Sequence, residues 1–86
     1  MRVRIPTPLR SYTAQQAVVE VDAGDLAGVF EELDRRFPGF RFRVVDEQGR
    51  LRRHMRVFVN EEAARDLATT VSPSDEVTIM QALSGG

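Results

Sequence analysis

A chain of 86 residues, 42% of them apolar, can fill one modest hydrophobic core and not two. Its formal net charge of -1 speaks against a nucleic-acid binder that works by neutralising phosphates, and no apolar run approaches the length of a membrane span. No cysteine and one histidine exclude a disulfide framework, a thiolate nucleophile and a self-contained zinc site; all twelve basic residues are arginine, so no lysine is present for Schiff-base chemistry or for receiving an isopeptide bond.

The chain opens on Met1-Arg2-Val3-Arg4, an alternating pattern and not a signal peptide, which makes the cytoplasm the expected compartment. Alternation from Arg2 to Ile5 predicts a strand that Pro6 and Pro8 end. Gln16 to Val21 predicts a second strand, with Ala17, Val19 and Val21 on one face and Ser11-Tyr12-Thr13 at the turn of a hairpin. Leu26, Val29, Phe30, Leu33 and Phe37 then recur at helical spacing. Asp25 suits the N-cap, Glu31/Arg35 and Glu32/Arg36 stand four residues apart on a solvated face, and Pro38-Gly39 stops the helix.

Phe40 to Val45 alternates as a strand would, before a turn at Asp46-Glu47-Gln48-Gly49. Met55, Val57 and Val59 mark a firmer strand with His54, Arg56 and Phe58 on its reverse, and Asn60 begins a turn. A short helical turn is expected within Glu61 to Leu67. Ser72-Pro73-Ser74-Asp75 turns into a last strand, Glu76 to Met80, with Val77 and Ile79 on one face and Thr78 and Met80 on the other. A hairpin, one main helix and later strands make an α+β domain with the order of a β-grasp: a mixed sheet with the helix across one face. The expected division is a domain at 1–80 and a flexible tail at 81–86, Gln81-Ala82-Leu83-Ser84-Gly85-Gly86.

Without cysteine, that tail is the expected place for the chain to hold covalent sulfur. Glycine lets an extended backbone enter a cleft that would reject any Cβ. Six residues reach roughly 20 Å, at about 3.3–3.6 Å each. The Gly86 carboxylate resists nucleophiles until a leaving group is attached; adenylylation from ATP supplies one, and a sulfur donor that displaces AMP leaves a thiocarboxylate. Other candidates are weaker. His54 has no Ser or Asp partner in pattern, Glu61, Glu62 and Asp66 read as solvated charges, and Gly24 and Gly28 lack phosphate-loop spacing. If Val57, Val59, Val77 and Ile79 face the helix, Phe58, Thr78 and Met80 fall on the opposite sheet face beside Arg4 and Arg56. Phe58, Met80, Arg4 and Arg56, with Leu83 and Ser84 of the tail, are therefore the candidate partner contacts.

Over nearly its whole length the chain resembles the ThiS/MoaD family of ubiquitin-like sulfur carriers. Ile5-Pro6-Thr7-Pro8-Leu9-Arg10 is similar to the family's first strand and turn, Asp25-Leu26 to Pro38-Gly39 to its helix and exit, and Met55-Arg56-Val57-Phe58-Val59-Asn60 to its central strand. Asp75-Glu76-Val77-Thr78-Ile79 followed by Ser84-Gly85-Gly86 is similar to its last strand and reactive tail. The resemblance implies that Gly86, preceded by Gly85, is adenylated and sulfurated by an E1-like adenylyltransferase/sulfurtransferase. It implies no bound cofactor, ATP being used by that enzyme. The Ile-Pro-Thr start and the Phe-Val-Asn-Glu turn resemble the branch that serves cysteine biosynthesis. There the thiocarboxylate attacks an aminoacrylate on a PLP-dependent cysteine synthase and a zinc metalloprotease releases cysteine. Gln81 stands where the family often has proline, the stretch from Asn60 to Asp75 is short, and the family often folds Phe40 to Val45 as a short helix, against the strand pattern. Three alternatives stay open: a small subunit of molybdopterin synthase, a modifier joined to target lysines, and a non-covalent β-grasp module.

Overall fold

Pro6 and Pro8 lack the N–H a sheet ladder needs, and they decide where the first strand stops. The computed structural model describes residues 1–82, with β1 at Arg2–Arg4 and β2 at Val18–Glu20 paired antiparallel, Val3 opposite Val19. Between them Thr7–Tyr12 winds into a 3-10 helix that buries Leu9. The turn therefore falls later than Ser11–Thr13. Ala14 and Gln15 adopt left-handed φ of 53° and 65°, and the buried Thr13 hydroxyl donates to the Gln16 carbonyl at 2.9 Å.

Helix α1, Leu26–Arg36, buries Leu26, Val29, Phe30 and Leu33, and Asp25 Oδ1 accepts from the Gly28 N–H at 2.8 Å as its N-cap. A Cβ on Gly28 would sit 3.1 Å from Ala23 Cβ and 3.2 Å from that capping oxygen, so a glycine inside the helix makes room for the cap. Of the two expected surface ion pairs, Glu32/Arg36 forms and Glu31/Arg35 does not. Glu32 takes both Arg35 and Arg36, while Glu31 pairs with neither among the described residues. Asp34, expected only on the solvated face, instead accepts from the N–H groups of Gly39 and Arg41, both at 3.1 Å, and ties α1 to the segment beginning at Phe40.

That segment is a helix and not a strand: α2 spans Phe40–Val44. Gly39, at φ 95°, reverses the chain so that Phe40 re-enters the core, and Asp34 satisfies orphan N–H groups at the new N-terminus. On a helix Phe40 and Val44 share a face and are fully buried, while Phe42 turns outward and is 55% exposed. A strand would have put all three on one side.

Strands β3 (Met55–Val59), β4 (Glu62–Ala63) and β5 (Glu76–Gln81) complete a five-stranded sheet in the order β2-β1-β5-β3-β4, with β5 parallel to β1 and antiparallel to β3. The helical turn expected within Glu61 to Leu67 is absent. Asn60, at φ 56°, reverses the chain into β4, and the Leu67 and Thr69 carbonyls are engaged by the first N–H groups of α1, at 3.0 Å each. One cluster joins Val3, Phe30, Leu33, Phe40, Val57 and Val77, all at most 1% exposed, between the helices and one sheet face.

A polar clasp fixes the start of β5. Asn60 Nδ2 donates to Asp75 Oδ1 at 3.1 Å, Asn60 Oδ1 accepts from the Glu76 N–H at 3.0 Å, and Asp75 Oδ2 accepts from the Ser72 N–H at 2.8 Å. The Ser72 N–H, and then Asn60, hold the Asp75 carboxyl below the usual carboxylate range. A carboxyl depressed in the folded state stabilises the fold above its unfolded value, about 3.9, and that contribution is lost as pH falls through the folded value. Asp75→Asn should thus be less stable than wild type at about pH 7, and the gap should close below about pH 4. Thermal unfolding across that range checks it; a gap indifferent to pH would remove the carboxylate as its source.

Candidate functional site

Strand β5 carries the chain toward the tail, so its neighbours determine what stands there. Gln81, expected in the tail, is the last residue of β5 and lies opposite Met55; the Ala82 N–H then donates to the His54 carbonyl at 2.7 Å. The chain is held to the sheet up to Ala82. Gly85 and Gly86, with Leu83 and Ser84, lie outside the described residues.

The register brings the other four candidates onto one surface. Phe58, Thr78 and Arg4 stand in one row across β3, β5 and β1, and Arg56 stands opposite Met80 in the next. Their neighbours Val3, Val57, Val77 and Ile79 are buried, so alternation turns this set to the sheet face away from α1. Met80 is 50% exposed, whereas Phe58 is partly covered, with Thr78 and Ala63 opposite it on the flanking strands. The two apolar groups thus do not meet solvent equally. Arg4 Nε donates to Glu76 Oε1 at 2.9 Å, which offsets its charge, and Arg56 Nη1 donates to the Met55 and Arg53 carbonyls at 2.9 and 3.0 Å.

One exposed apolar residue lies outside the set that strand alternation picks out. Phe42, on the outer side of α2, lines an open groove of about 520 Å³ with Leu9, Arg52, His54, Met55 and Gln81. The signal for it is the spacing of Phe40 and Val44, four apart, which makes Phe42 the odd residue of a helix. His54 is exposed and stands alone. Among the described residues no group of three His, Cys, Asp or Glu side chains is placed to hold a metal ion, and no helix is long and apolar enough to cross a membrane. What the geometry offers is a folded platform whose central strand leads into a terminal segment.

Comparison with known proteins agrees with that geometry. The model of the ThiS family matches residues 3–86. The sulfur carrier protein CysO of Mycobacterium tuberculosis is 36% identical over 89 aligned positions, which cover 98% of this chain and 96% of that protein. The crystal structure of the Amycolatopsis orientalis BexX/CysO complex contains a chain that superposes with a TM-score of 0.91 at 32% identity, over 99% of this chain and 98% of that one. SAMP1, the small archaeal modifier protein 1 of Haloferax volcanii, superposes with a TM-score of 0.83 at 26% identity, over 100% of this chain and 98% of its own. The match along nearly the whole chain, with the shared β-grasp, places this protein in the ThiS family, as a homologue of the sulfur carrier protein CysO.

Proposed function

We propose that the chain is a cytoplasmic sulfur carrier in which Gly86 bears the sulfur as a thiocarboxylate. The observation that carries the reading is the position of β5: hydrogen-bonded on both sides, it anchors a segment that ends Ser84-Gly85-Gly86. A Gly86 carboxylate oxygen attacks the α-phosphorus of ATP on an E1-like adenylyltransferase/sulfurtransferase, and pyrophosphate leaves. Sulfide then attacks the acyl carbon; AMP departs with the C–O bond pair and the thioacid loses its proton. The chain needs no bound cofactor of its own for this. It acts as a protein co-substrate, first of the activating enzyme and then of a sulfur-accepting enzyme such as a PLP-dependent cysteine synthase, with a zinc metalloprotease releasing the product. The likeness to CysO supports cysteine biosynthesis as the destination, and the occurrence of the Amycolatopsis CysO in a complex with BexX supports docking to a protein partner.

Incubation with ATP, the activating enzyme and sulfide should raise the intact mass by the difference between sulfur and oxygen, mapped to Gly86. Modification of an internal residue, or none, would sink the reading. A second reading, conjugation of Gly86 to target lysines, has the likeness to the archaeal modifier in its favour. It predicts covalent adducts that survive reduction and denaturation in the host, with no accumulation of the free thiocarboxylate.

Docking of a tail alone forfeits conformational freedom and binds weakly, so a folded surface has to contribute. The open sheet face of Phe58, Met80 and Arg56 is that surface in this reading. Phe58→Asp should weaken binding of the activating enzyme by about 2 kcal/mol or more, roughly 30-fold in Kd, with a smaller effect on thermal unfolding. Calorimetry and melting curves on the same preparation separate the two effects, and an unchanged Kd or a variant that simply unfolds would remove Phe58 from the interface.

A further inference from the structure

The charges of this chain are segregated. Residues 41–56 hold six of the twelve arginines against two acids, a local excess of four positive charges in a chain whose net charge is -1. Two of the six, Arg43 and Arg52, line the groove that Gln81 also lines, where the chain leaves the sheet. Both guanidiniums are positioned by aromatic rings: Arg43 stands over Tyr12 at 5.7 Å, and Arg52 over Phe42 at 4.5 Å. Arg52 Nε also donates to the Phe42 carbonyl at 2.6 Å.

Neither arginine makes an ion pair among the described residues. The acids of the groove do not neutralise them by contact. One Asp46 oxygen is already occupied by the N–H groups of Gln48 and Arg50, and Glu47 is exposed to water. Arg52, held against a ring and a backbone carbonyl without an ion-pair partner among the described residues, has lost much of its freedom before any partner arrives, so binding a carboxylate there costs little further ordering. Arg43, exposed over the Tyr12 ring, adds a second cation to the same groove. The contacts that hold Arg52 serve the fold, yet they leave the charges of both guanidiniums without an ion-pair partner among the described residues.

We infer that Arg43 and Arg52, with the exposed Phe42, form a cationic collar at the root of the tail that draws in and orients a carboxylate-bearing protein surface, the rim of the enzyme cleft that accepts the tail. This rests on the carrier reading above and adds to it the chemistry of the partner. The charge complement follows from position: Gln81, the last residue of β5, lines this groove, so carboxylates on a surface that engages the chain where it leaves the sheet would meet these guanidiniums, and bidentate pairing would fix that surface's orientation. Phe42 supplies the apolar contact, since it is exposed beside the collar and contributes nothing to the core.

The test uses the activating enzyme that thiocarboxylates the chain. Its association rate with the wild-type chain, followed by stopped flow, should fall about tenfold or more as ionic strength rises from about 0.02 to 0.3 M. Arg43→Glu/Arg52→Glu should slow association about tenfold at low salt and flatten that dependence. Arg65→Glu, the same charge change at a position outside the groove, should stay within about twofold. Arg52→Glu gives up a bond to the Phe42 carbonyl, so Arg43→Glu alone, which disturbs only the Tyr12 contact, and the wild-type salt profile carry the test if the double variant unfolds. A wild-type rate indifferent to salt, or collar variants slowed no more than Arg65→Glu, would overturn the collar and leave the carrier reading standing. Retention of the wild type, but not of the collar variants, by a duplex oligonucleotide at physiological salt would assign the collar to nucleic acid instead. Absence of thiocarboxylation in the wild type would overturn both readings together.

Discussion

Deleting Gly86 should lower thiocarboxylation by about a hundredfold or more while the unfolding midpoint stays at its wild-type value. The shortened chain still ends in a glycine carboxylate, so the chemistry of the group is unchanged. Its position is not: one residue fewer withdraws the carboxylate by about 3.3–3.6 Å along an extended backbone. A misplacement of about 1 Å already costs roughly a hundredfold where an oxygen must meet a phosphorus in line. The domain is held to the sheet up to Ala82, and among the described residues its core draws on none beyond Ile79, so stability and activation should separate. Mass spectrometry of the product beside a melting curve gives both readouts. Undiminished conversion of the shortened chain would show that the enzyme does not measure the tail's length, and a fallen midpoint would show that the end contributes to the fold.

Phe40→Ala and Phe42→Ala should differ by several kcal/mol although they are two residues apart. Phe40 is fully buried where α2 meets α1, and truncating a buried phenylalanine to alanine costs about 3–5 kcal/mol from lost transfer energy and the cavity left behind. Against a total stability of about 5–15 kcal/mol, that leaves a marginal domain. Phe42 is 55% exposed and its specific contact is the Arg52 guanidinium over its ring, so its loss should cost under about 1 kcal/mol. Denaturant titrations of the two variants decide it. Equal losses would restore the strand pattern, in which both rings lie on one face; a costly Phe42 with a silent Phe40 would invert the helix.

That contrast also locates where the sequence was legible. Strands β3 and β5 and helix α1 could be read because each carries several apolar residues in a single period, and a sustained period admits one secondary structure. Phe40-Arg41-Phe42-Arg43-Val44 is too short for that. It satisfies strand alternation and also the i,i+4 rule through Phe40 and Val44, and the choice is made by Gly39 at positive φ and by Asp34 reaching forward to the new N-terminus, contacts that no local pattern records. Strand β4 has two residues and no alternation to read; it exists because Asn60 reverses the chain against β3. The open-face residues Arg4, Arg56, Phe58 and Met80 followed from alternation, since a sheet with one covered face has one answer for each side chain. Partial cover over Phe58 did not follow, because burial on an open face depends on the neighbouring strands. The groove at Gln81 was out of reach for a related reason: it is bounded by α2, which the alternation of Phe40 to Val45 disguises as a strand. The chemistry assigned to Gly86 rests on residue type and family, and is as visible in the letters as in the fold.

The parallel pairing of β1 with β5 has a consequence for how the molecule is made. Arg2 pairs with Glu76 and Arg4 with Thr78, so the centre of the sheet joins the first described strand to the last, across nearly the whole chain. Synthesis delivers β5 after every other described element, and until then β1 and β3 have no strand between them. Such late closure is slow, because the entropy of a long loop is lost before the contacts that repay it can form. It also acts as a check on length. A nascent or truncated chain lacking β5 would leave two open edges and an unfilled core at Val77 and Ile79, a species that chaperones and proteases recognise. The folded platform and the segment that leads to its proposed reactive end therefore appear in the same event, and a partner that reads the sheet meets only chains that have been built through to that strand.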